Sequence, residues 1–296
     1  MPDLALDFSH PGVLSDLHGA VDMHIHSTPD ALPRLLDDLE VAAAARDAGM
    51  RAVVLKGHVT CTADRAYLVG RVIQGIEVYG GIVLNDPVGG LNPAAVEAAI
   101  AMGARVVWMP TMWADNHCRY IKRQQMAGYL AIGMSFPERG ITVLEEDGET
   151  LKPEVRRILK LVAEHDLVLA GGHLSAWEHR LLIREARAAG ITRIVVNHPT
   201  YQPMDFSVEE QVELAEMGAF MEHCLLPLTP MWTKMSEHGW SPGDVARAIK
   251  AVGAERCILS SDLRQLIQMM RESGIGDDEL HLMTRVNPAK LLGMPA

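Results

Sequence analysis

The stretch Val21-Asp22-Met23-His24-Ile25-His26 decides how the rest of the chain is interpreted. Apolar and polar residues alternate along it, as in a β-strand whose successive side chains point to opposite faces. Strict alternation would place Asp22, His24 and His26 on one face. Two imidazoles two positions apart at a strand end bring two nitrogen ligands within reach of one metal ion. The stretch therefore predicts a first strand that ends in a metal site.

Composition limits what the chain can be. Its 296 residues, 48% of them hydrophobic, suffice for one large α/β barrel or two smaller domains. The net charge of -11 argues against nucleic acid or an anionic membrane as a partner. The expected partner is a small-molecule substrate. No apolar run reaches membrane-spanning length, and no signal-peptide pattern is seen at the N-terminus.

Cysteine usage bears on the compartment. Cys61, Cys118, Cys224 and Cys257 are scattered without paired spacing. That pattern is typical of reduced thiols and not of a disulfide framework or a zinc ribbon. We therefore expect a cytoplasmic protein.

Strand-like and helix-like segments alternate eight times, which predicts an α/β protein with a parallel (β/α)8 TIM barrel. An open, doubly wound sheet is the alternative. No linker divides the chain, so residues 1–296 are expected to form one domain, with residues 1–19 as an N-terminal arm. The predicted strands cover residues 20–26, 51–58, 78–85, 105–111, 167–173, 193–198, 219–224 and 257–262.

One segment interrupts this rhythm after the fourth predicted strand. About forty residues, 112–152, precede the next long helix, and they end in a hairpin-like stretch with Asp147-Gly148 as its turn. An insertion of this length in a compact domain is usually functional. We expect a lid over the site or a contact in a homo-oligomer.

Ligand-type residues stand at the ends of several predicted strands. In a (β/α)8 barrel the carboxyl ends of the strands meet at one mouth, where catalytic groups collect. Parity along the strands, for example of Val196 with His198 and of Leu169 with His173, predicts that these residues point inward. Each histidine alone is a weak signal, but the pair His24 and His26, followed in order by His173, His198 and Asp262, is far more specific. The strand-end residues together are His24, His26, Lys56, His58, His173, His198 and Asp262.

The order of these motifs resembles the amidohydrolase superfamily of metal-dependent hydrolases over the whole barrel. The resemblance rests on the segments 22–26, Gly172-His173, Asn197-His198-Pro199, Ser261-Asp262 and the closing 287–293.

The resemblance implies a role for each matching position. His24 and His26 would bind a first metal ion. His173 and His198 would bind a second, or, in a one-metal enzyme, one would bind the ion and the other would contact substrate. Asp262 would bind metal and accept the proton of the attacking water, so Asp262 and His198 are the predicted catalytic residues.

One departure from that superfamily leaves the number of metals open. Two-metal members usually carry a bridging carboxylate at the end of the fourth strand, and residues 105–111 contain none. Lys56 could be carboxylated and bridge two ions from the second strand. It could instead bind an anionic substrate group, or His58 could replace it as a ligand. The plainest alternative is that Lys56 simply pairs with Asp22 or another carboxylate.

Imidazole and carboxylate ligands suit Zn2+, with Mn2+, Fe2+ or Ni2+ as alternatives. His58, Trp113 and Arg264 are predicted to contact substrate, and only one of Glu222 and His223 can point into the mouth.

Three functions remain open at this stage. The first expectation is a hydrolase that activates water on one or two divalent ions to cleave an amide, cyclic amide, ester or lactone. A one-metal decarboxylase or a phosphoesterase is the alternative on the same scaffold. A barrel that only binds a ligand is the third.

Overall fold

The computed structural model describes residues 15–124, 139–229, 239–261 and 263–295. Asp262 and most of the predicted N-terminal arm lie outside these ranges.

Within the described residues, nine short strands form the centre of the fold, and each ladder pairing between them is parallel. They follow one another in chain order, as the sequence predicts, in a sheet of three strands and a sheet of six. The predicted parallel α/β architecture is thus confirmed. The strands are β1 (Val21–Ile25), β2 (Ala52–Leu55), β3 (Glu77–Tyr79), β4 (Gly81–Val83), β5 (Val106–Trp108), β6 (Val168–Ala170), β7 (Ile194–Asn197), β8 (Phe220–Cys224) and β9 (Cys257–Ser260).

The third predicted strand is divided at Gly80 into β3 and β4, which the sequence pattern did not show. Thr62 lies against this point: its hydroxyl donates to the Leu55 carbonyl at 2.7 Å and accepts from the Gly81 amide at 3.0 Å. A Cβ on Gly80 would lie 2.3 Å from the Thr62 carbonyl oxygen. The close backbone approach at Thr62 therefore interrupts the ladder, and only a glycine fits there.

The two ends of the strand series lie side by side. β1 packs against β9, and the Ser261 amide donates to both carboxylate oxygens of Asp22 at 3.0 Å. Among the described residues, no ladder pairing joins these two strands or β3 and β4. The Asp22 side chain thus connects β1 to the end of β9, where no backbone ladder joins the two strands.

Helices follow the strands and cover their outer side. Three of them begin at a proline, after Asn92, Lys152 and Ser241, and Ser207 forms a capping box with Glu210 at the start of another. No helix among the described residues is both long and apolar enough to cross a membrane. The helices are α1 (Asp38–Asp47), α2 (Ala63–Val72), α3 (Pro93–Ala101), α4 (Asp115–Arg123), α5 (Pro153–Glu164), α6 (Ala176–Ala188), α7 (Val208–Glu216), α8 (Pro242–Val252), α9 (Leu263–Glu272), α10 (Asp277–His281) and α11 (Asn287–Leu292), the last preceded by a π-helical turn, Leu282–Val286.

Buried side chains form two principal layers. One cluster takes alternate residues from every strand, among them Met23, Val54, Trp108 and Phe220, and is joined by the C-terminal segment around Leu291. The other packs the opposite strand faces against the helices. Apart from β3, whose three residues are exposed or half-buried, the strands are therefore buried on both sides, as parallel strands in α/β proteins are.

The insertion after β5, residues 112–152, contains α4 near its start and ends directly before α5. Its later part contains one antiparallel bridge, between Leu144 and Leu151. Within it the Asp147 carboxylate accepts hydrogen bonds from the Glu149 and Thr150 amides at 2.9 Å, which makes the expected turn. Its role as lid or subunit contact stays a prediction.

Candidate metal centre

Three nitrogen atoms from β1, its following residue and the end of β2 converge in the interior. His24 Nε2 lies 3.2 Å from His26 Nε2 and 3.0 Å from Lys56 Nζ. His24 and Lys56 are 4% and 2% exposed. The register of β1 against β2 shifts between Asp22 and Ile25, and such an irregularity re-aims side chains next to many active sites.

The hydrogen-bond partners of the two imidazoles fix where their protons are. His24 Nδ1 faces the carboxylate of Glu222 at 3.1 Å, and His26 Nδ1 faces the Lys56 carbonyl at 2.9 Å. Both partners are acceptors, so both Nδ1 atoms carry the hydrogen and donate. In the neutral imidazoles, each Nε2 consequently carries a lone pair and no hydrogen.

Burial keeps these imidazoles neutral. It lowers the pKa of His24, and it lowers the pKa of His26 well below the ordinary value, with further contributions from Lys56 to the first and His58 to the second. Two lone pairs only 3.2 Å apart repel each other unless a cation lies against both. The pair therefore fits a divalent metal ion, for which two such imidazoles are ordinary ligands.

Lys56 is the third member of this group. Burial lowers its pKa to about 8, against the opposing influence of Glu222, and its Nζ lies 5.4 Å from the Trp108 ring centre. The amine faces His24 and not Asp22, whose carboxylate accepts hydrogen bonds from the His24 and Ser261 amides. An ammonium at this distance would repel a metal ion held by His24, so the ion requires Lys56 to be neutral or carboxylated.

His173 and His198 form a second pair, with their Nε2 atoms 3.0 Å apart. The rings of His24 and His198 lie 5.2 Å apart, so the two pairs are neighbours. Both are buried, and burial lowers the pKa of each well below the ordinary value. The structure thus brings together six of the seven predicted strand-end residues, the seventh being Asp262, which lies outside the described part of the chain.

The parity argument for the second pair is wrong. Leu169 and Val196, which share parity with these histidines, pack in the helix-facing layer and not in the interior. Left-handed backbone turns the chain inward after each strand: φ is +65° at Gly172, directly before His173, and +27° at His198 itself. A non-glycine residue in this region is uncommon and tends to occur at functional sites.

Glu222 joins the strands at the base of the cluster. Besides facing His24, its carboxylate accepts hydrogen bonds from Asn197 at 2.6 Å and Ser260 at 2.7 Å. Burial alone would raise the pKa of this carboxyl, but the contact with His24, which includes a hydrogen bond, and the nearby Lys56 outweigh burial and hold the pKa well below its ordinary value. Of the two alternatives at this strand end, Glu222 points inward. Its parity with Phe220, an interior residue, is the sequence signal that favours it.

His24, His198 and Glu222 offer ligand atoms that all lie within 4.8 Å of one another. Glu222 nevertheless fits better as the acceptor behind His24, because its oxygens already bind Asn197, Ser260 and the Nδ1 side of His24. Histidine ligands commonly donate their second nitrogen to such a carboxylate. The free nitrogens then define the metal position.

His117 reaches the same interior from α4, and the sequence reasoning did not select it. Its Nδ1 lies 2.8 Å from His173 Nδ1, and its side chain is 2% exposed. Burial lowers the pKa of His117 to about 3. We call the eight residues His24, His26, Lys56, His58, His117, His173, His198 and Glu222 the histidine cluster.

The predicted substrate-binding residues fall in different surroundings. His58 stacks on His26 with ring centres 4.5 Å apart, and its Nδ1 lies 3.1 Å from the Thr111 hydroxyl. Trp113 is buried in the hydrophobic layer, and Arg264 is half-buried near the start of α9. The structure places His58 in the cluster, and substrate contact by any of the three stays a prediction.

A half-buried ion pair lies beside His26. Arg34 contacts a single oxygen of Asp30 through Nε at 2.8 Å and Nη2 at 2.7 Å, and the same oxygen is 3.9 Å from His26 Nδ1. The guanidinium contributes to lowering the pKa of the groups around it, among them Lys56 and His58, after the larger effect of burial. A fixed positive charge therefore stands close to the cluster.

Comparison with protein families gives one match. A family model described as a family of unknown function (DUF6282) matches residues 19–222. No curated protein matches the sequence significantly.

Several solved structures share this fold with the chain at low sequence identity. A Pseudomonas putida protein assigned provisionally as a 2-pyrone-4,6-dicarboxylic acid hydrolase shares 15% identity over 93% of this chain and 97% of its own, with a TM-score of 0.55. The 2,6-dihydroxybenzoate decarboxylase from Rhizobium shares 13% identity over 93% of this chain and 99% of its own, with a TM-score of 0.51. The N-acetyl-D-glucosamine-6-phosphate deacetylase from Mycobacterium smegmatis shares 19% identity over 94% of this chain and 77% of its own, with a TM-score of 0.55. At these identities the likeness shows the fold alone.

Proposed function

The chain belongs to the family described as of unknown function (DUF6282), and we propose that it is a metal-dependent hydrolase of the amidohydrolase type. It acts on an amide, cyclic amide, ester or lactone of a small molecule. The observation that carries the proposal is the short distance, 3.2 Å, between His24 Nε2 and His26 Nε2 in the interior. Each of these nitrogens offers a lone pair to the same point. Zn2+ is the preferred ion for such ligands, with Mn2+, Fe2+ or Ni2+ as alternatives.

The proposal includes a closed (β/α)8 barrel. One interior cluster draws side chains from every strand, and the Asp22 carboxylate links β1 to β9 through Ser261. In such a barrel the active site lies at the carboxyl ends of the strands, where the histidine cluster lies. The structural neighbours include a hydrolase, a deacetylase and a decarboxylase, which supports an enzyme on this scaffold.

The roles of the chain's own residues follow from their contacts. A bound dication would lower the pKa of a water molecule to about 7 and polarise the carbonyl of the substrate. His24 and His26 would hold it through Nε2, with Glu222 and the Lys56 carbonyl fixing both rings. Asp262, which directly follows Ser261, would take the proton of the water and pass it to the leaving group. His198 would serve as a ligand or contact the substrate.

Lys56 decides between one and two metals in this proposal. With a pKa of about 8, part of the population carries a neutral amine near neutral pH. A neutral amine can add CO2 and release a proton, and the resulting carbamate offers two oxygens to bridge two ions. Incubation with 13C-bicarbonate and metal should then give a carbamate carbon signal that Lys56→Met lacks. A signal missing from the wild type would leave the one-metal form.

The test of the proposed activity compares metal-loaded and chelator-stripped protein on a panel of amides, lactones and esters. We expect turnover that returns on adding Zn2+ and is lost in His26→Asn. The matched control is His165→Asn, which changes an exposed histidine after α5. Turnover that survives both chelation and His26→Asn would contradict a role for the metal.

Arg34 favours a second candidate, in which the substrate carries an anionic group and is decarboxylated or is a phosphoester. The contact with one Asp30 oxygen uses the Nε side of the guanidinium and leaves the Nη1 end for an anion. CO2 or phosphate release from carboxylate and phosphoester panels, lost in Arg34→Gln, would favour it. Arg65→Gln is the control, because Arg65 braces the same loop through the Pro29 carbonyl.

Partners and location complete the proposal. The enzyme acts on a small molecule in the cytoplasm, without nucleic acid or membrane as a partner. Residues 112–152 would act as a lid or join a homo-oligomer, and residues 1–296 would form one catalytic domain.

A further inference from the structure

The insertion after β5 contributes a side chain to the histidine cluster. His117 lies on the first turn of α4, and its ring stacks on His173 with centres 4.8 Å apart and planes 17° apart. The two Nδ1 atoms face each other at 2.8 Å, which is a hydrogen-bond distance. α4 thus does more than cover the site.

A hydrogen bond between two imidazole nitrogens requires one proton and one lone pair. If His173 presents the lone pair of Nε2 to a metal ion, its hydrogen is on Nδ1, and His117 Nδ1 must accept it. Histidine ligands need such an acceptor, which is usually a carboxylate or a carbonyl. For His173 the acceptor in the described structure is an imidazole.

We propose that His117 is the positioning residue that holds His173 in the metal-binding tautomer and orientation. This inference rests on the proposed metal-dependent function. His117 acts through His173 and carries out no chemical step itself. It explains why an imidazole, and not a larger apolar side chain, is buried at this point.

The surroundings of His117 are rigid enough for this role. The neighbouring Asn116 amide donates to the His173 carbonyl at 3.3 Å and to the Pro203 carbonyl at 2.7 Å. The Asp115 amide donates to the Ile141 carbonyl at 2.9 Å, which fastens the start of α4 to the later part of the insertion. The His117 ring therefore sits on an anchored helix and can fix its neighbour.

The test measures metal binding and not turnover. Zn2+ affinity would be measured by competition with a chelator, and the ligand field by the visible spectrum of the Co2+-substituted protein. The variants are His117→Phe, which keeps a ring without an acceptor, and His117→Asn, whose amide oxygen can accept from His173. His179→Asn is the control, since His179 is also a buried helical histidine, with its Nδ1 on the Ser175 carbonyl.

We expect His117→Phe to weaken Zn2+ binding by about 10- to 100-fold and to shift the Co2+ spectrum. His117→Asn should recover most of the affinity, and His179→Asn should match the wild type. Wild-type affinity and spectrum in His117→Phe, or an equal loss in His179→Asn, would overturn the inference while leaving the metal site intact. A wild type that binds no metal would instead defeat the proposed function. If His117→Phe does not fold, failure of His117→Asn to bind better than a folded His117→Ala overturns the inference.

Discussion

Glu222 shows how one buried carboxylate can organise an entire cluster. It accepts from Asn197 on the preceding strand and from Ser260 on the following one, and it faces His24 across the interior. A buried charge without such partners would cost several kcal/mol. Because its position is over-determined, the tautomer of His24 is fixed before any metal arrives.

Glu222→Gln should weaken metal binding, because the amide retains the shape but loses the charge that supports His24. We expect the Zn2+ affinity to fall by about 10- to 100-fold, measured by chelator competition. Ser260→Ala removes one donor to the same carboxylate and should have a smaller effect. Equal affinities in Glu222→Gln and wild type would show that the carboxylate does not support the ligand.

The identity of the ligand-type residues could be predicted, but not how they reach the site. Strand ends pointed to His24, Lys56 and His173 because apolar runs stop there. The inward turn at His198 depends on a left-handed φ of +27°, which alternation cannot express. His117 was missed because it reaches the site from a helix, where no strand-end pattern marks it.

At the scale of elements, the division of the third strand follows from packing between backbone segments. Only tertiary contact shows it, since residues 78–85 read as one apolar run. The Thr62 hydroxyl takes over hydrogen bonds at this point, to the Leu55 carbonyl and from the Gly81 amide. The division of the strand therefore leaves few backbone groups without a hydrogen-bond partner.

Gly80→Ala should destabilise the protein, because the new Cβ would meet the Thr62 backbone at 2.3 Å. Overpacking of this kind costs roughly 1–3 kcal/mol in the free energy of unfolding, measured by urea denaturation. Gly70→Ala in α2 is the matched control: its Cβ would meet nothing within 4 Å, and helix propensity predicts a gain of roughly 0.5–1 kcal/mol. A neutral Gly80→Ala would mean that the close approach at Thr62 is not tight.

Over the whole molecule, the buried histidines make stability depend on pH. Burial lowers the pKa of His117 to about 3 and, against the influence of Glu222, that of His223 to about 4. Six other histidines, at 24, 26, 58, 173, 179 and 198, are lowered as well. In the unfolded chain these groups titrate near 6.5.

The unfolded state therefore binds more protons than the folded state below about pH 6.5, and the metal-free protein should lose stability as the pH falls. Each responding histidine contributes roughly 1.4 kcal/mol per pH unit until its folded pKa is reached. Urea denaturation in chelator at pH 7.5, 6 and 5 measures the slope. His223→Asn should reduce the slope of the free energy of unfolding against pH by the contribution of about one histidine. His165→Asn, at an exposed position, should leave that slope unchanged. A flat profile would contradict neutral burial of the cluster.

The facing nitrogens of His24 and His26 are expected to hold a divalent ion. The most direct measurement is calorimetric titration of chelator-stripped protein with Zn2+, with the metal content of the product determined by elemental analysis. We expect about one or two ions per chain in the wild type and in the His165→Asn control, and loss of at least one ion in folded His24→Asn and His26→Asn. A wild type that takes up no ion, or histidine variants that bind as the wild type does, would contradict it.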